Sequence, residues 1–371
     1  MWLNYNNFMS IQEIFSLIGQ SPFLIVAVIL VFGVIFINGW TDAPNAIATC
    51  ISTRCIKPKI AIIMAAFFNF LGVLTMFFLS QKTAETISNM VDFGSNYSLA
   101  LIALCAGMIG VIAWGVLAWA FGIPSSESHA LIAGITGAGL AAMTMGMEAK
   151  IQFTWDSSWA LTIYGLILSC IFGFFVGLGV TWTIKGVCSD MNRNKTRPFF
   201  KYAEVCSGAA MAYVHGAQDG LKFVVVLFLA IELAAKANGM TGVSLTNEHK
   251  LWWLAIVVAL IMGVGTSIGG YKIIKKVGMG MVNLEPYEGF ATDFTSSIGI
   301  LISTLFGVPV STTQVKSFAI LGVGASKGIK RVKWSVAGEM IMTWVCTFPG
   351  CGLIGYIITL IFIAIAKQYG L

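Results

Sequence analysis

The sequence is poor in charged residues, which excludes most soluble folds. Only 10% of its 371 residues are charged and 57% are hydrophobic, whereas soluble globular domains carry roughly 25% charged residues. No Lys or Arg precedes Arg54, so a secretory signal peptide with a basic start is not expected. The eight cysteines include no CxxC pair, which argues against a zinc site or a disulfide framework. A nucleotide-binding P-loop is also missing, and this argues against an ATP-driven pump.

Long apolar segments dominate the sequence instead. Several exceed the ~20 residues that a helix needs to cross a bilayer, and a chain in lipid must satisfy its backbone hydrogen bonds internally. The sequence therefore predicts an all-α polytopic membrane protein that crosses the lipid bilayer of the cell membrane many times. We expect ten apolar segments, at residues 22–53, 58–79, 98–121, 130–146, 158–184, 203–235, 251–271, 287–306, 310–326 and 334–366.

Positive charge is concentrated in four clusters, which hold 15 of the 22 Lys and Arg residues. The positive-inside rule places such clusters in the cytoplasm. All four fall on one side if every segment crosses and both termini are external. The net charge of +6 is then a topology signal, and nucleic-acid binding is not expected because no basic soluble domain is present. The clusters are Arg54, Lys57 and Lys59; Lys185, Arg193, Lys195, Arg197 and Lys201; Lys272, Lys275 and Lys276; and Lys327, Lys330, Arg331 and Lys333.

Two motifs occur twice along the chain. The first, Gly-x-x-Asp, contains Asp42 and again Asp219, and the second, Gly-x-Pro followed by hydroxyl residues, contains Pro124 and again Pro309. The two copies of each motif are separated by nearly the same interval. Each half has five predicted segments, and an odd number makes the second half enter from the opposite side. The pattern predicts an inverted-topology repeat, which is common in secondary transporters.

The repeats divide the chain into three parts. The expected divisions are a first membrane repeat at 1–184, a basic cytoplasmic linker at 185–202 and a second, inverted membrane repeat at 203–371.

The repeated Asp residues are candidate ion-coupling groups. Asp42 is the only charged residue of its apolar segment, where an ionisable group costs roughly 2.5–3.5 kcal/mol at a helix centre. Gly39 and Pro44 flank Asp42 and predict a broken helix, whose free carbonyls and half-helix ends bind ions. One carboxylate at a helix break in each half suits Na⁺ coordination or proton exchange, and no cofactor beyond that coupling ion is expected. The candidate ion-coupling residues are Asn38, Asp42, Asp219 and Asp293, of which Asp42 and Asp219 are also candidate Na⁺ ligands.

The Gly-x-Pro motifs supply an anion site. Each motif opens a half-helix whose N-terminal amides carry partial positive charge and suit a phosphate or sulfate. Two such tips, at the ends of helical hairpins, would surround a tetrahedral oxyanion, and we expect Ser126 and Thr312 to occupy matching places. Lys222 either contacts the anion or occupies a position that a cation fills in the other repeat. The candidate substrate-binding residues are Ser125, Ser126, Ser128, His129, Ser311, Thr312, Thr313, Lys222 and Asn45.

Several other ionisable residues leave their roles open. Glu127 is costly to bury unless it is paired or hydrated, and beside an anion site it would weaken anion binding unless it is protonated or turned away, for instance toward the cytoplasmic vestibule. Asp293 lies one helix before the second tip. Glu204 and Glu339 are functional groups or solvated helix ends, and the sequence favours neither interpretation. His129 either serves the anion or a proton, or packs and donates a hydrogen bond to a carbonyl.

The paired motifs resemble those of the inorganic phosphate transporter (PiT) family. Its signature is roughly GANDVANA in the first half and HGANDAQK in the second, with PVSTTH after each. The resemblance covers both repeats and implies phosphate uptake coupled to Na⁺ or H⁺, with sulfate carried by some members. It also places the repeated Asp, Asn, Lys, Ser and Thr residues on the family's ion and substrate motifs. Thr41, Gln218, Glu127 and Gln314 depart from the signature within the site, which bears on the substrate and coupling ion more than on the fold.

An ion-coupled symporter of inorganic phosphate is the leading interpretation. The alternatives are a permease for sulfate or another oxyanion, a passive anion channel, and an intramembrane hydrolase that uses Ser126 or Ser128 with His129. A channel would not need one carboxylate in each half. The hydrolase pair is not repeated, because the second tip has no His, so an enzyme is not expected. The sequence leaves the oligomeric state open, a homodimer included.

Overall fold

The chain is built almost entirely from helices. The computed structural model describes residues 11–80, 82–240 and 252–370, so residues 1–10, 81, 241–251 and 371 of the two predicted repeats lie outside the described part. The helices are α1 Ile11–Gln20, α2 Pro22–Thr41, α3 Ala43–Ser52, α4 Pro58–Leu79, α5 Lys82–Ser88, α6 Tyr97–Ala120, α7 Glu127–Thr144, α8 Ser158–Val187, α9 Arg193–Ala237, α10 Trp252–Ile268, α11 Tyr271–Gly280, α12 Pro286–Phe306, α13 Thr312–Ala325 and α14 Trp334–Gln368.

The observed helices follow the predicted apolar segments closely. By length and composition, six described helices can cross a membrane, or seven if the bent pair α10–α11 forms one span. The protein is therefore a multi-pass membrane protein. Helix α13 has 14 residues and is about 21 Å long, which is shorter than the ~30 Å hydrocarbon core. Helix α13 is therefore too short to cross the bilayer alone, whereas the orientation predicted from the basic clusters assumed that every segment crosses. Helix α9 begins at Arg193, so most of the predicted 185–202 linker is helical.

Only one of the two predicted helix breaks is present. Helix α2 ends at Thr41 and α3 begins at Ala43, so the chain is interrupted at Asp42, just before Pro44. Asp219 lies inside the continuous helix α9, which has 45 residues, and the expectation of a break there is wrong. The second half has no proline beside its Asp, so its backbone hydrogen bonds continue. A larger bend, 72° between α10 and α11, lies instead at Gly269 and Gly270.

The glycine of each Gly-x-x-Asp motif marks a helix crossing between the two halves of the chain. A Cβ added at Gly39 of α2 would lie 2.3 Å from the carbonyl oxygen of Met262 in α10. A Cβ added at Gly216 of α9 would lie 2.2 Å from the carbonyl oxygen of Asn69 in α4. Small residues allow such close backbone approach in membranes. The two crossings therefore bring the Asp residue of each motif to the interface between the halves.

The outer helices pack in the same reciprocal manner. Helix α2 packs against α10, while α9 packs against α4; helix α7 packs against α14, while α13 packs against α8. Each of these contacts joins a helix from the first half of the chain to a helix from the second half. The halves are thus interleaved, and the core lies between them.

The basic clusters gather at one end of the helix bundle. Arg193 pairs with Glu285 at 2.7 Å, and Lys327 pairs with Glu288 at 2.5 Å, so the second and fourth clusters flank the start of α12. Helix α3, which leads into the first cluster, packs against α11, which carries the third cluster. In the third cluster, Lys276 pairs with Glu339, which lies near the start of α14 and close to the fourth cluster. The Glu339 side chain is exposed, so it is a solvated group near a helix end.

The opposite end of the bundle holds the connection before α6 and the one after α7. The backbones of Asp92 and Lys150 pair there, and Lys367 near the end of α14 donates to the carbonyl of Met145 at 2.6 Å. Helix α6 begins at this second end, and α7 returns to it. Helix α12 begins at the basic end, and α13 returns to that end. The two helical hairpins, α6–α7 and α12–α13, therefore enter the bundle from opposite ends.

Candidate ion and anion site

The tip of each hairpin is formed by local sequence. Gly122 and Gly307 follow α6 and α12 with φ values of +64° and +75°, which glycine adopts without strain. The proline two positions later prevents the first helix from continuing. Ser126 then caps α7 and accepts a hydrogen bond from the His129 amide at 3.4 Å. Ser311 caps α13 in the same way, from the Gln314 amide at 3.2 Å.

The two tips meet through their cap residues. The Ser311 hydroxyl donates to the Ser126 hydroxyl at 2.8 Å, and the two serines are separated by the same interval as the two motif prolines. Ser126 therefore corresponds to Ser311, and the expectation that it matches Thr312 is wrong, because the cap position and not the chemistry of the side chain sets the correspondence. The N-terminal ends of two half-helices, each with partial positive charge, thus lie side by side.

Asp219 is surrounded by donors. Lys222 Nζ lies 2.8 Å from Asp219 Oδ1, and the Ser128 hydroxyl donates to the same oxygen at 3.3 Å. The Thr312 hydroxyl donates to Oδ2 at 3.2 Å, and Asn38 donates to it at 3.5 Å.

His215 also reaches this carboxylate, although the sequence analysis did not select it. Its Nε2 lies 3.3 Å from Asp219 Oδ2. His215 precedes Asp219 by the same interval as Asn38 precedes Asp42. This repeated spacing is the signal that could have found it.

Asp42 has fewer partners. The Thr313 hydroxyl donates to its Oδ1 at 3.1 Å, and the Glu127 backbone amide donates to its Oδ2 at 3.1 Å. Asn45 Nδ2 in turn donates to the Thr313 hydroxyl at 2.9 Å. Within the described residues no lysine or arginine pairs with Asp42. A carboxylate oxygen of Asp42, one of Asp219 and a ring nitrogen of His215 lie within 4.8 Å of one another, a donor set that can hold a cation.

Glu127 belongs to the same site. Its side chain is fully buried, so the alternative in which it faces a vestibule is wrong. The Thr41 hydroxyl donates to Oε1 at 3.4 Å, while Oε2 has no hydrogen-bond partner among the described residues. The carboxylate fits because its neighbour in α6 is Gly115, where a Cβ would lie 2.6 Å from Oε1. Glu127 therefore adds a second acidic group beside Asp42.

Ser125 and His129 are among the predicted site residues that make no hydrogen bond to Asp42 or Asp219 in the described structure. Ser125 is buried next to the cap, and its amide donates to the Ile123 carbonyl at 2.8 Å. The His129 ring packs on Phe348, with 5.0 Å between ring centroids. The Ser126 and Ser128 hydroxyls bond to other groups, so neither forms a nucleophile–base pair with His129 in the described structure.

Asp293 lies in a separate polar cluster. It pairs with Lys316 of α13, and the Thr49 hydroxyl donates to its carboxylate at 2.8 Å. Sequence reasoning missed Lys316, although a lysine inside an apolar segment is itself a signal. Glu204 lies in this cluster, beside Cys50. It is fully buried, and its carboxylate has no hydrogen-bond partner among the described residues, so the interpretation as a solvated helix end is wrong.

Comparisons with known proteins agree with this architecture. The chain is 38% identical over 336 residues to the probable low-affinity inorganic phosphate transporter of Bacillus subtilis, covering 90% of this chain and 95% of that protein. The probable low-affinity inorganic phosphate transporter of Rhizobium meliloti is 31% identical over 331 residues, covering 89% and 93% respectively.

A solved structure described as the sodium-dependent phosphate transporter has the same fold. Its TM-score is 0.75 at 20% identity, and the match covers 93% of this chain and 100% of that chain. The sequence pattern of the phosphate transporter family matches residues 38–193 and 187–355. The resemblance seen in the motifs is therefore confirmed, and the chain belongs to the phosphate transporter family, whose members are transporters rather than enzymes.

Proposed function

We propose that this chain is an ion-coupled symporter of inorganic phosphate in the cell membrane. The observation that carries the proposal is the joining of two half-helix tips at Ser126 and Ser311, with one carboxylate held on each side. The relatives reported above are described as phosphate transporters, which supports phosphate over sulfate as the substrate.

The anion and the carboxylates depend on the same donors. The hydroxyls of Ser128, Thr312 and Thr313 donate to Asp42 or Asp219, and they are also the groups that a tetrahedral oxyanion between the tips would need. A cation bound to Asp42 would neutralise the carboxylate and free the tips for the anion. Such coupling is reciprocal, so phosphate would strengthen cation binding by the same factor.

The alternating access of this transporter would use the inverted architecture. In the proposal, residues 1–184 and 203–371 are inverted repeats, and the two hairpins reach the site from opposite sides of the membrane. The basic end of the bundle would be cytoplasmic, which places both termini outside. Rocking of one half against the other would open the tips to each side in turn.

Sodium is the coupling ion that the site supports best. The Asp42 carboxylate lies beside the Thr313 hydroxyl, and a carboxylate oxygen of Asp219 is within 4.8 Å of one of Asp42. Hard cations prefer such oxygen ligands. The structural neighbour is described as sodium-dependent, and its shared fold makes the same ion the first one to test here. A proton taken up by the same carboxylates is the alternative.

Uptake into proteoliposomes tests the function directly. We expect labelled phosphate to be concentrated when an inward Na⁺ gradient is imposed, and labelled sulfate to be taken up weakly. Asp42→Asn should abolish the accumulation of labelled phosphate that the Na⁺ gradient drives. Accumulation that follows an imposed H⁺ gradient alone would identify the proton as the coupling ion. Downhill flux of phosphate, with no accumulation under either gradient, would show a channel and contradict the proposal.

A further inference from the structure

Lys222 and Asn45 occupy corresponding places in the two halves. Asn45 follows Asp42 by the same interval as Lys222 follows Asp219. Lys222 Nζ donates to the Ser128 hydroxyl at 2.7 Å, and Asn45 Nδ2 donates at 2.9 Å to the hydroxyl of Thr313, the counterpart of Ser128 in the other tip. We infer that the Lys222 ammonium is a built-in cation that replaces a bound Na⁺ in the second half, so that of this pair of sites only the first binds Na⁺. The inference rests on the proposed Na⁺ coupling.

The partners of Lys222 are those of a small cation. Its three N–H groups donate to Asp219 Oδ1 at 2.8 Å, to the Ser128 hydroxyl at 2.7 Å and to the Val310 carbonyl at 2.8 Å. A carboxylate, a hydroxyl and a free backbone carbonyl are also typical ligands of Na⁺ at a broken helix. An ammonium has three donors, so none remains for an anion in this arrangement. Lys222 therefore balances the charge of Asp219 and binds the two tips through Ser128 and Val310. The alternative in which Lys222 contacts phosphate directly is disfavoured.

The first half shows the same oxygens without the ammonium. Asp42 faces the Thr313 hydroxyl. When the two tips are aligned on their motif prolines, the Ser125 carbonyl corresponds to the carbonyl that Lys222 contacts in the other tip. Asn45 Oδ1 and Asn38 Oδ1 are buried and have no hydrogen-bond partner among the described residues.

Unpaired buried oxygens are costly, and a buried carboxylate without a counter-charge costs more. Glu127 adds another buried carboxyl group that has no described cationic partner, and its Oε2 accepts no hydrogen bond among the described residues. A Na⁺ at Asp42 would satisfy these oxygens, whereas the charge of Asp219 is already balanced by Lys222. The asymmetry between Asn45 and Lys222 therefore sets the number of Na⁺ ions at the tips.

Counting bound Na⁺ tests the inference without relying on transport. Equilibrium binding of labelled Na⁺ to the purified full chain should give one more ion per chain for Lys222→Asn than for the parent. Asn45→Lys should give one fewer. The exchange variant Asn45→Lys/Lys222→Asn should return to the parental number, because the site moves to the other half. Lys236→Asn, which removes a lysine near the exposed end of the same helix, is the control and should leave the number unchanged.

The outcomes separate this inference from the proposed function. If Lys222→Asn binds phosphate, elutes as a single species and binds no additional Na⁺, the inference is wrong. If that variant does not fold, Asn45→Lys decides alone, and an unchanged Na⁺ count overturns the inference. A parent that binds phosphate but no Na⁺ also overturns it and leaves phosphate transport standing. Conversely, the expected Na⁺ counts in a protein that never binds phosphate would contradict only the proposed substrate.

Discussion

Replacing Asp219 by asparagine should destabilise the protein far more than the same change at Asp42. Asp219 is the only described carboxylate that pairs with Lys222, whose side chain is fully buried. Removing one partner of a buried ion pair leaves an uncompensated charge and costs about 3–5 kcal/mol. Asp42→Asn leaves no orphaned lysine or arginine among the described residues. Its amide oxygen can still accept from the Glu127 backbone amide, and its NH2 group can donate to the Thr313 hydroxyl. We expect its cost to stay at or below ~1–3 kcal/mol.

The assay is equilibrium unfolding of the purified variants in mixed micelles, with unfolding half-lives at fixed temperature where the transition is irreversible. The double variant Asp219→Asn/Lys222→Met removes both charges and should recover most of the lost stability, since an apolar replacement of a whole buried pair is often neutral. No such double variant can be made at Asp42, because no described lysine or arginine pairs with it. If Asp219→Asn is as stable as the parent, or if adding Lys222→Met gives no recovery, the buried pair does not hold the second half together and the reasoning fails.

Three further predictions test the crossing, the tips and the topology. Gly39→Ala should lower stability by roughly 1–3 kcal/mol, because its Cβ would lie 2.3 Å from a carbonyl oxygen. Gly263→Ala is the control and should be tolerated, because the nearest atom to its Cβ is 3.5 Å away. Equal stability of the two variants in thermal denaturation would refute the close helix crossing at Gly39. Ser126→Ala and Ser311→Ala should each weaken phosphate binding about tenfold to a hundredfold, because a hydrogen bond to a charged group contributes ~1.5–3 kcal/mol. Equilibrium binding of phosphate measures the effect, and parental affinity in both variants would exclude an anion site at the tips. A cysteine placed at Asn194 should be labelled only after the membrane is permeabilised, and labelling in intact cells would reverse the proposed orientation.

The helices and the hairpin tips are predictable from sequence because their causes are local. A segment in lipid must form its own backbone hydrogen bonds, so apolar length predicted the long helices. The short helices α1 and α5, and nearly all of α11, lie outside the predicted apolar segments. The tips follow from Gly-x-Pro-x-Ser, in which three consecutive signals end one helix and cap the next. The break at Asp42 likewise follows from Pro44, two positions beyond it.

The contacts that give the site its chemistry come from tertiary structure. Asp42 meets Thr313 and Asp219 meets Ser128, and each of these pairs is far apart in the sequence, so no local pattern specifies the partners. The same holds for Asp293, which the sequence analysis grouped with the coupling carboxylates and the fold pairs with Lys316.

The sequence by itself therefore determined the membrane class, the position of most helices, the two tips and the identity of the charged groups, because each depends on residues within one or two turns. The Asp219–Lys222 pair is also local, since the two residues are three positions apart on α9. Only the tertiary structure decided which hydroxyls and amides of the tips reach each carboxylate. The reason is physical: helix crossings at Gly39 and Gly216 bring the two halves together, and the donors and acceptors then pair across that interface according to distances that no single segment contains.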